Sequence, residues 1–222
     1  MTTVTGIFTG QGLIGLLQPI LARELPGCRV ANILDDSVIR DVIAEGGVGK
    51  SVIRRMLQYY QIAADAGADV ILNTCSSVGE VVALGREVVS VPIVRIDEPM
   101  AANAVASYER IGVLATLPTT LNPTIRLLRS QAAAQGRTVS IVEGLAEGAY
   151  DALVGGKPAE HDELILRAAR RIADRVDCIV LAQGSMARME AALAEKTGRP
   201  VLSSPYLAVM AIKSMIGRRS DS

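Results

Sequence analysis

Two stretches of the chain are near copies of one another: Asp69-Val-Ile-Leu-Asn-Thr-Cys75-Ser-Ser77 and Asp177-Cys-Ile-Val-Leu-Ala-Gln183-Gly-Ser185. Each is an apolar run ending in small polar residues, and only the first carries a thiol at its tip. Cys75 to Pro92 and Gln183 to Pro200 are both 17 positions, so a single offset of 108 residues relates the two landmarks. A fixed internal period marks a repeated structural unit, and here the period is close to half of the 222 residues. With a drift of a residue or two the copy extends further. Val4 to Thr9 matches Ile111 to Thr116, and Gly46 and Gly47 stand 109 positions before Gly155 and Gly156.

Within each half, short Val- and Ile-rich runs alternate with longer amphipathic stretches, a pattern of β-α repeats that builds mostly parallel sheets. Strands are expected at Val4–Phe8, Val30–Leu34, Val70–Asn73, Ile93–Ile96, Ile111–Ala115, Val139–Val142, Ile179–Ala182 and Val201–Leu202, with helices filling most gaps. The fold expected is α/β: two pseudosymmetric lobes, each a mostly parallel four-stranded sheet flanked by helices. Asp97-Glu98-Pro99 reads as the first crossing and Ser203-Ser204-Pro205 as the return. That assigns residues 1–97 plus 206–222 to the first lobe and 98–205 to the second, with Gly217 to Ser222 a frayed tail. A ligand is expected between the lobes.

Charge excludes some partners. The 23 basic residues cancel 23 acidic ones, and with no Trp, one Phe and five Tyr there are few platforms for stacking bases, so nucleic acid is not expected as a partner. The uncharged opening from Met1 to Ala22 lacks a basic start and contains Gln11, Gln18 and Pro19. It reads as strand, glycine loop and helix start, not as a membrane segment or leader. A cytoplasmic, unanchored chain is expected. Cysteines at 28, 75 and 178 have no CxxC spacing, which argues against a disulfide framework or a cysteine-rich zinc site. The single His161 lies in the charged stretch Pro158-Ala-Glu-His-Asp-Glu163 and reads as a solvated helix start, and no metal site is expected.

In open α/β sheets ligands bind beyond the carboxyl ends of strands, which directs attention to Cys75. Ser76 and Ser77 precede Val78-Gly79-Glu80, residues able to cap and start a helix. A thiol at a helix N-terminus has its pKa lowered from about 8.5 and becomes a base or nucleophile near neutrality. The alternative is a small buried filler, the commonest fate of a cysteine. Cys28 and Cys178 are assigned to packing. Asp35-Asp36-Ser37 after the second strand reads either as an acid-base pair or as the cap of the next helix. Thr9-Gly-Gln-Gly12 has neither the spacing nor the lysine of a phosphate loop. Met186 and Met189 read as packing residues and Arg188 as solvated.

Taken together, Asn73-Thr-Cys-Ser-Ser77 after an apolar strand, Asp97-Glu98-Pro99-Met100-Ala101 between the halves, Ile111 to Thr120 and the second marked strand resemble the aspartate/glutamate racemase superfamily. That superfamily includes hydantoin racemases, maleate isomerases and arylmalonate decarboxylases. The resemblance spans nearly the whole chain. It implies an active site at the interface of the lobes, no metal or organic cofactor, and dimers or larger homo-oligomers as an option. It also implies, for the amino-acid racemases, two cysteines acting on opposite faces of the substrate.

This chain departs from that pattern where the internal alignment puts Gln183 at the second cysteine. An amide offers donors and an acceptor but no titrating group, so Gln183 is expected to orient substrate or stabilise an oxyanion. Ser185 or a bound water would have to carry any second proton. The one-cysteine arylmalonate decarboxylases keep their thiol on the other lobe, so their mechanism does not transfer directly either. An anionic substrate, a small carboxylate, fits the remaining candidates. Ser76 and Ser77 on one side and Thr116, Thr119 and Thr120 on the other supply donors, Gly10 and Gln11 follow the first strand, and Gly184 and Ser185 follow Gln183. Asn73 either orients the cysteine loop or satisfies a strand end. Three activities stay open: an isomerase acting beside a carboxylate through Cys75, a decarboxylase whose enediolate Cys75 protonates, and a small-acid binding protein without catalysis.

Overall fold

Eight short runs of mainly β-branched and aliphatic residues form the strands of the computed structural model, which describes residues 1–220. The chain divides into two compact units, Met1–Pro99 with Pro205–Ser222, and Met100–Ser204. The first holds β1 (Thr3–Phe8), α1 (Gly12–Glu24), β2 (Arg29–Leu34), α2 (Ser37–Ala44), α3 (Lys50–Asp65), β3 (Val70–Asn73), α4 (Val81–Val88) and β4 (Ile93–Arg95). Its four strands are all parallel, in the order β2-β1-β3-β4. After α5 (Glu98–Ser107) the second unit runs through β5 (Arg110–Ala115), α6 (Pro118–Ala134), β6 (Ser140–Leu145), α7 (Ala149–Val154), α8 (Pro158–Ala173), β7 (Cys178–Leu181), α9 (Glu190–Thr197) and β8 (Val201–Leu202). It repeats the parallel order as β6-β5-β7-β8. Helix α10 (Ser204–Ser220) closes the described chain.

The expected α/β architecture of two four-stranded parallel sheets is what the chain forms. β3 and β7 are buried at all four positions, as expected of parallel strands covered on both faces, whose sequences therefore read as unbroken apolar runs. The edge strand β6 runs three residues beyond its expected end at Val142. Its exposed Glu143 and buried Gly144 break the apolar run that marked the strand, while register with Val113 and Leu114 carries the pairing on to Leu145. The chain passes from one unit to the other at Pro99–Met100 and Ser204–Pro205, at the residues read as crossings, and there Glu98-Pro99 and Ser204-Pro205 form the first turns of α5 and α10, where proline costs no helical hydrogen bond. Gly217–Ser220 likewise continue α10 instead of fraying, whereas the rest of the expected tail, residues 221–222, lies outside the described residues.

The repeat recurs bond for bond. Thr3 N–H donates to Asp69 Oδ2 (2.7 Å) in one unit and Arg110 N–H to Asp177 Oδ2 (2.9 Å) in the other. Ile71 N–H meets the Pro92 carbonyl at 3.0 Å, and Ile179 N–H meets that of Pro200 at 2.9 Å. One equivalence shifts relative to the sequence reading. The left-handed glycines ending α2 and α7 are Gly46 (φ 69°) and Gly156 (φ 73°), and the next amides, Gly47 and Lys157, close back on Val42 and Ala152 at 2.9 and 2.8 Å. Only glycine adopts that conformation without a Cβ penalty, so geometry pairs Gly46 with Gly156, not with Gly155.

Helices cover the sheets with stripes at helical spacing. α3 buries Val52, Met56, Tyr60 and Ala63 against Ile7, Ile71, Val82 and Ile93. α8 buries His161, Ile165, Ala168, Ala169 and Ile172. His161 is therefore not a solvated residue: it is 1 % exposed, on the same face as Ile165 four positions on, and its Nδ1 lies 2.8 Å from Asp162 Oδ1. Among the described residues no helix is long and apolar enough to cross a membrane.

Candidate active site

Strand β3 delivers Asn73, Thr74 and Cys75 to its carboxyl end. Thr74 ties the exit to β1, donating from its amide (3.1 Å) and its hydroxyl (2.8 Å) to the Ile7 carbonyl. Cys75 keeps extended backbone (φ −116°, ψ 115°) and precedes a three-residue 3-10 turn, Ser76–Val78. The α-helix expected to begin directly at the thiol begins instead at Val81, so the sulfur stands at the head of a tight turn and not of an α-helix. Gly79 follows the turn, and a Cβ there would lie 2.3 Å from Arg95 Nε, so the turn must pass over the Arg95 guanidinium without a side chain. Cys75 itself is half-buried, while Ser76 and Ser77 are buried.

The Cys75 carbonyl accepts from Val78 N–H (3.3 Å) and from Asn73 Nδ2 (3.1 Å). Asn73 is fully buried and accepts at its Oδ1 from the Tyr60 hydroxyl at 3.0 Å. Asn73 is thus tied to the backbone of the cysteine loop, and its side chain has no exposed surface. Beneath the turn, Arg95 donates to Asp97 from Nε (2.6 Å) and Nη2 (2.9 Å), with 8 % and 0 % of the two side chains exposed. Burial disfavours the Arg95 charge, but Asp97 more than offsets this and holds the guanidinium protonated.

In the second unit Ala182 N–H donates to the Leu114 carbonyl (2.9 Å), and Gln183 occupies the head of a 3-10 turn, Gly184–Met189, in the same extended conformation as Cys75 (φ −118°, ψ 132°). Its amide is engaged at both ends. Oε1 accepts from Thr116 N–H at 2.8 Å and Nε2 donates to Thr116 Oγ1 at 2.5 Å. Thr116 is buried, yet its hydroxyl hydrogen remains free to donate, because the oxygen serves Gln183 as acceptor. Thr119 Oγ1, in the first turn of α6, is buried with no protein partner, and Thr120 is buried with its amide on the Leu117 carbonyl (3.1 Å). Gly184 is buried and Ser185 exposed. Gly10 is half-buried and Gln11 exposed, beyond β1 on the same sheet edge as Cys75, since β1 pairs in parallel with β3.

The other cysteines are packing residues. Cys178 is buried in β7, and burial, with the Asp177 charge, pushes its thiol up to about 12. Burial also raises the Cys28 thiol, with a contribution from Asp69. Neither supplies a thiolate at neutral pH. Asp35 stands one residue before Asp36, the N-cap of α2, and its carboxylate is engaged at the helix start. It accepts from Ser37 N–H (2.9 Å) and Oγ (2.5 Å), Tyr59 OH (2.6 Å) and Arg55 Nη1 (3.2 Å). Met186 and Met189 lie in the core, and Arg188 is exposed and paired with Asp162. Among the described residues no group of three His, Cys, Asp or Glu side chains is placed to hold a metal ion. The Tyr60–Asn73 bond and the Arg95–Asp97 pair escaped the sequence reading, which took Asp97 only as part of a crossing. A tyrosine in a helix stripe and an Arg-x-Asp at a strand end carry no local signal of what they touch.

A search of curated proteins by sequence finds no match. Solved structures share the fold. Glutamate racemase isoform RacE1 from Bacillus anthracis superposes with a TM-score of 0.78 at 14% identity, over 98% of this chain and 82% of that one. Allantoin racemase from Klebsiella pneumoniae gives 0.69 at 19%, over 98% and 88%. A mutant arylmalonate decarboxylase in a sulfate-associated form gives 0.59 at 17%, over 96% and 92%. The family model for Asp/Glu/hydantoin racemases matches residues 16–212, and the chain belongs to that family.

Proposed function

We propose that the protein is a cofactor-independent isomerase acting on a small carboxylic or amino acid, with Cys75 as the reacting group and Gln183 standing where the two-cysteine racemases carry their second thiol. One observation carries the reading: at equivalent strand ends the first unit presents a half-buried thiol, whereas the second presents an amide tied at both ends to Thr116. An amide relays no proton near neutral pH. Chemistry that needs one thiol is therefore favoured over symmetrical two-thiol exchange.

In the version best matched to one thiol, the Cys75 thiolate adds to a double bond conjugated with the substrate carboxylate. The electron pair moves onto the carboxylate as an enediolate, rotation follows about the former double bond, and elimination of the sulfur restores the alkene in the other geometry. The Ser76 and Ser77 groups beside the thiol are assigned to the carboxylate, where fixed donors stabilise the developing charge. In the racemase version, Cys75 removes the α-proton and Ser185 or water returns one. Family membership supports an isomerase. The fold shared with an arylmalonate decarboxylase keeps a second reading, in which Cys75 protonates the enediolate left by carbon dioxide.

The test is incubation with a panel of amino, dicarboxylic and unsaturated acids in deuterated water, following alkene geometry, α-proton exchange, chirality and carbon dioxide. Isomerised product that disappears in Cys75→Ser is expected. Carbon dioxide with one product enantiomer assigns the lyase, and turnover that survives Cys75→Ser overturns both readings.

A further inference from the structure

A buried polar chain in the first unit ends on the residue to which the proposed chemistry is assigned. Tyr60 lies on the inner stripe of α3, 0 % exposed, and its ring fills a notch in α4. A Cβ on Gly85 would lie 2.6 Å from that ring, so the absent side chain at Gly85 is the space the phenol occupies. From that socket the Tyr60 hydroxyl donates to Asn73 Oδ1 (3.0 Å), and Asn73 Nδ2 donates to the Cys75 carbonyl (3.1 Å). The phenol is held as a neutral donor, since burial and the neighbouring Cys75 both push it well above its ordinary range.

Packing alone does not account for this arrangement. A phenylalanine would fill the Gly85 notch equally well, and the hydroxyl is buried only to serve Asn73. The Asn73 amide, in turn, has its acceptor used by Tyr60, which orients its donor toward the one backbone carbonyl that fixes the head of the Cys75 turn. A buried polar network holds a unique geometry only when each member is satisfied, and this one is satisfied in sequence from helix to thiol-bearing turn. At the far end of the turn Gly79 rests on the Arg95 guanidinium, itself fixed by Asp97. Residues 73–79 are therefore gripped at both ends.

We propose that Tyr60 is a positioning residue which, through Asn73, sets the direction and exposure of the Cys75 thiol. The proposal rests on the assignment of chemistry to Cys75 but is tested without a substrate. Iodoacetamide alkylation of the full chain, resolved cysteine by cysteine with peptide mass spectrometry, has internal references in Cys28, partly exposed in the same unit, and Cys178, buried in β7. Tyr60→Phe keeps the ring and removes the hydroxyl. The Cys75 to Cys28 rate ratio is expected to rise roughly two- to tenfold, the population shift that follows loss of one net hydrogen bond, while Cys178 stays unmodified. General loosening would raise Cys178 as well. On whichever acid of the panel is turned over, the variant lowers kcat and leaves KM little changed. Asn73→Asp, which keeps the acceptor for Tyr60 and loses the donor to Cys75, is expected to give the same rise. An unchanged Cys75 to Cys28 ratio in both variants overturns the proposal. Survival of turnover in Cys75→Ser would sink the functional assignment and leave the alkylation result standing.

Discussion

Gln183 and Thr116 are 67 residues apart in sequence and joined by two hydrogen bonds, amide to amide oxygen at 2.8 Å and amide nitrogen to hydroxyl at 2.5 Å. The pair links the carboxyl ends of β7 and β5, neighbouring strands of the second sheet. Gln183 thus acts on Thr116 before it can act on anything else.

Replacing Gln183 by leucine leaves a buried amide and a hydroxyl without partners, which costs about 1–3 kcal/mol of stability. Urea unfolding measures it. Gln183→Cys places a thiol at the head of the second turn instead, and is expected to add α-proton exchange with inversion to whatever activity Cys75 alone supports, read by deuterium incorporation and chirality.

Cys75→Ser keeps the size of the side chain and removes the nucleophile. Product formation in the acid panel is expected to fall by at least about two orders of magnitude, the scale of one proton-transfer or nucleophilic group. Cys28→Ser, in a pocket rimmed by Gln18, Pro19 and Leu25, is expected to keep wild-type rates.

Gly85→Ala sets a methyl group 2.6 Å from the Tyr60 ring, inside a packed core with no room to yield. Overpacking of this kind costs about 1–3 kcal/mol. Because the ring carries the hydroxyl that holds Asn73, a raised Cys75 alkylation rate should accompany the lower thermal midpoint.

Asp35 predicts an acid limb of stability. Burial pushes its carboxyl up, but hydrogen bonds from Ser37 and Tyr59 and the charge of Arg55 outweigh burial and hold it below the usual carboxylate range. A depressed native value stabilises the fold above the unfolded pKa of about 3.9 and loses that contribution as pH falls through the native value. Asp35→Asn is therefore expected to destabilise at pH 7 by about 1–3 kcal/mol, with the gap from wild type closing below about pH 4. Urea midpoints at pH 7, 5 and 3 check the sign, and a gap that widened in acid would contradict it.

The repeat, the eight strands and the prominence of Cys75 could all be read before any coordinates, because each is written in residues adjacent along the chain. An apolar run such as Val70–Asn73 reports its burial on both faces, and the offset between Cys75 and Gln183 reports a duplicated unit. Local pattern misjudged His161, whose charged neighbours implied solvent while its place one turn before Ile165 put it in the core. It also misplaced the helix after Cys75, since Ser76 and Ser77 have the composition of caps but are folded into a 3-10 turn over Arg95. The grip of Tyr60 through Asn73, the Arg95–Asp97 pair under Gly79 and the engagement of Gln183 by Thr116 belong to packing. Hydrogen-bond partners across a core are set by which faces meet when strands take their register, and that choice leaves no periodic trace in either partner's own segment.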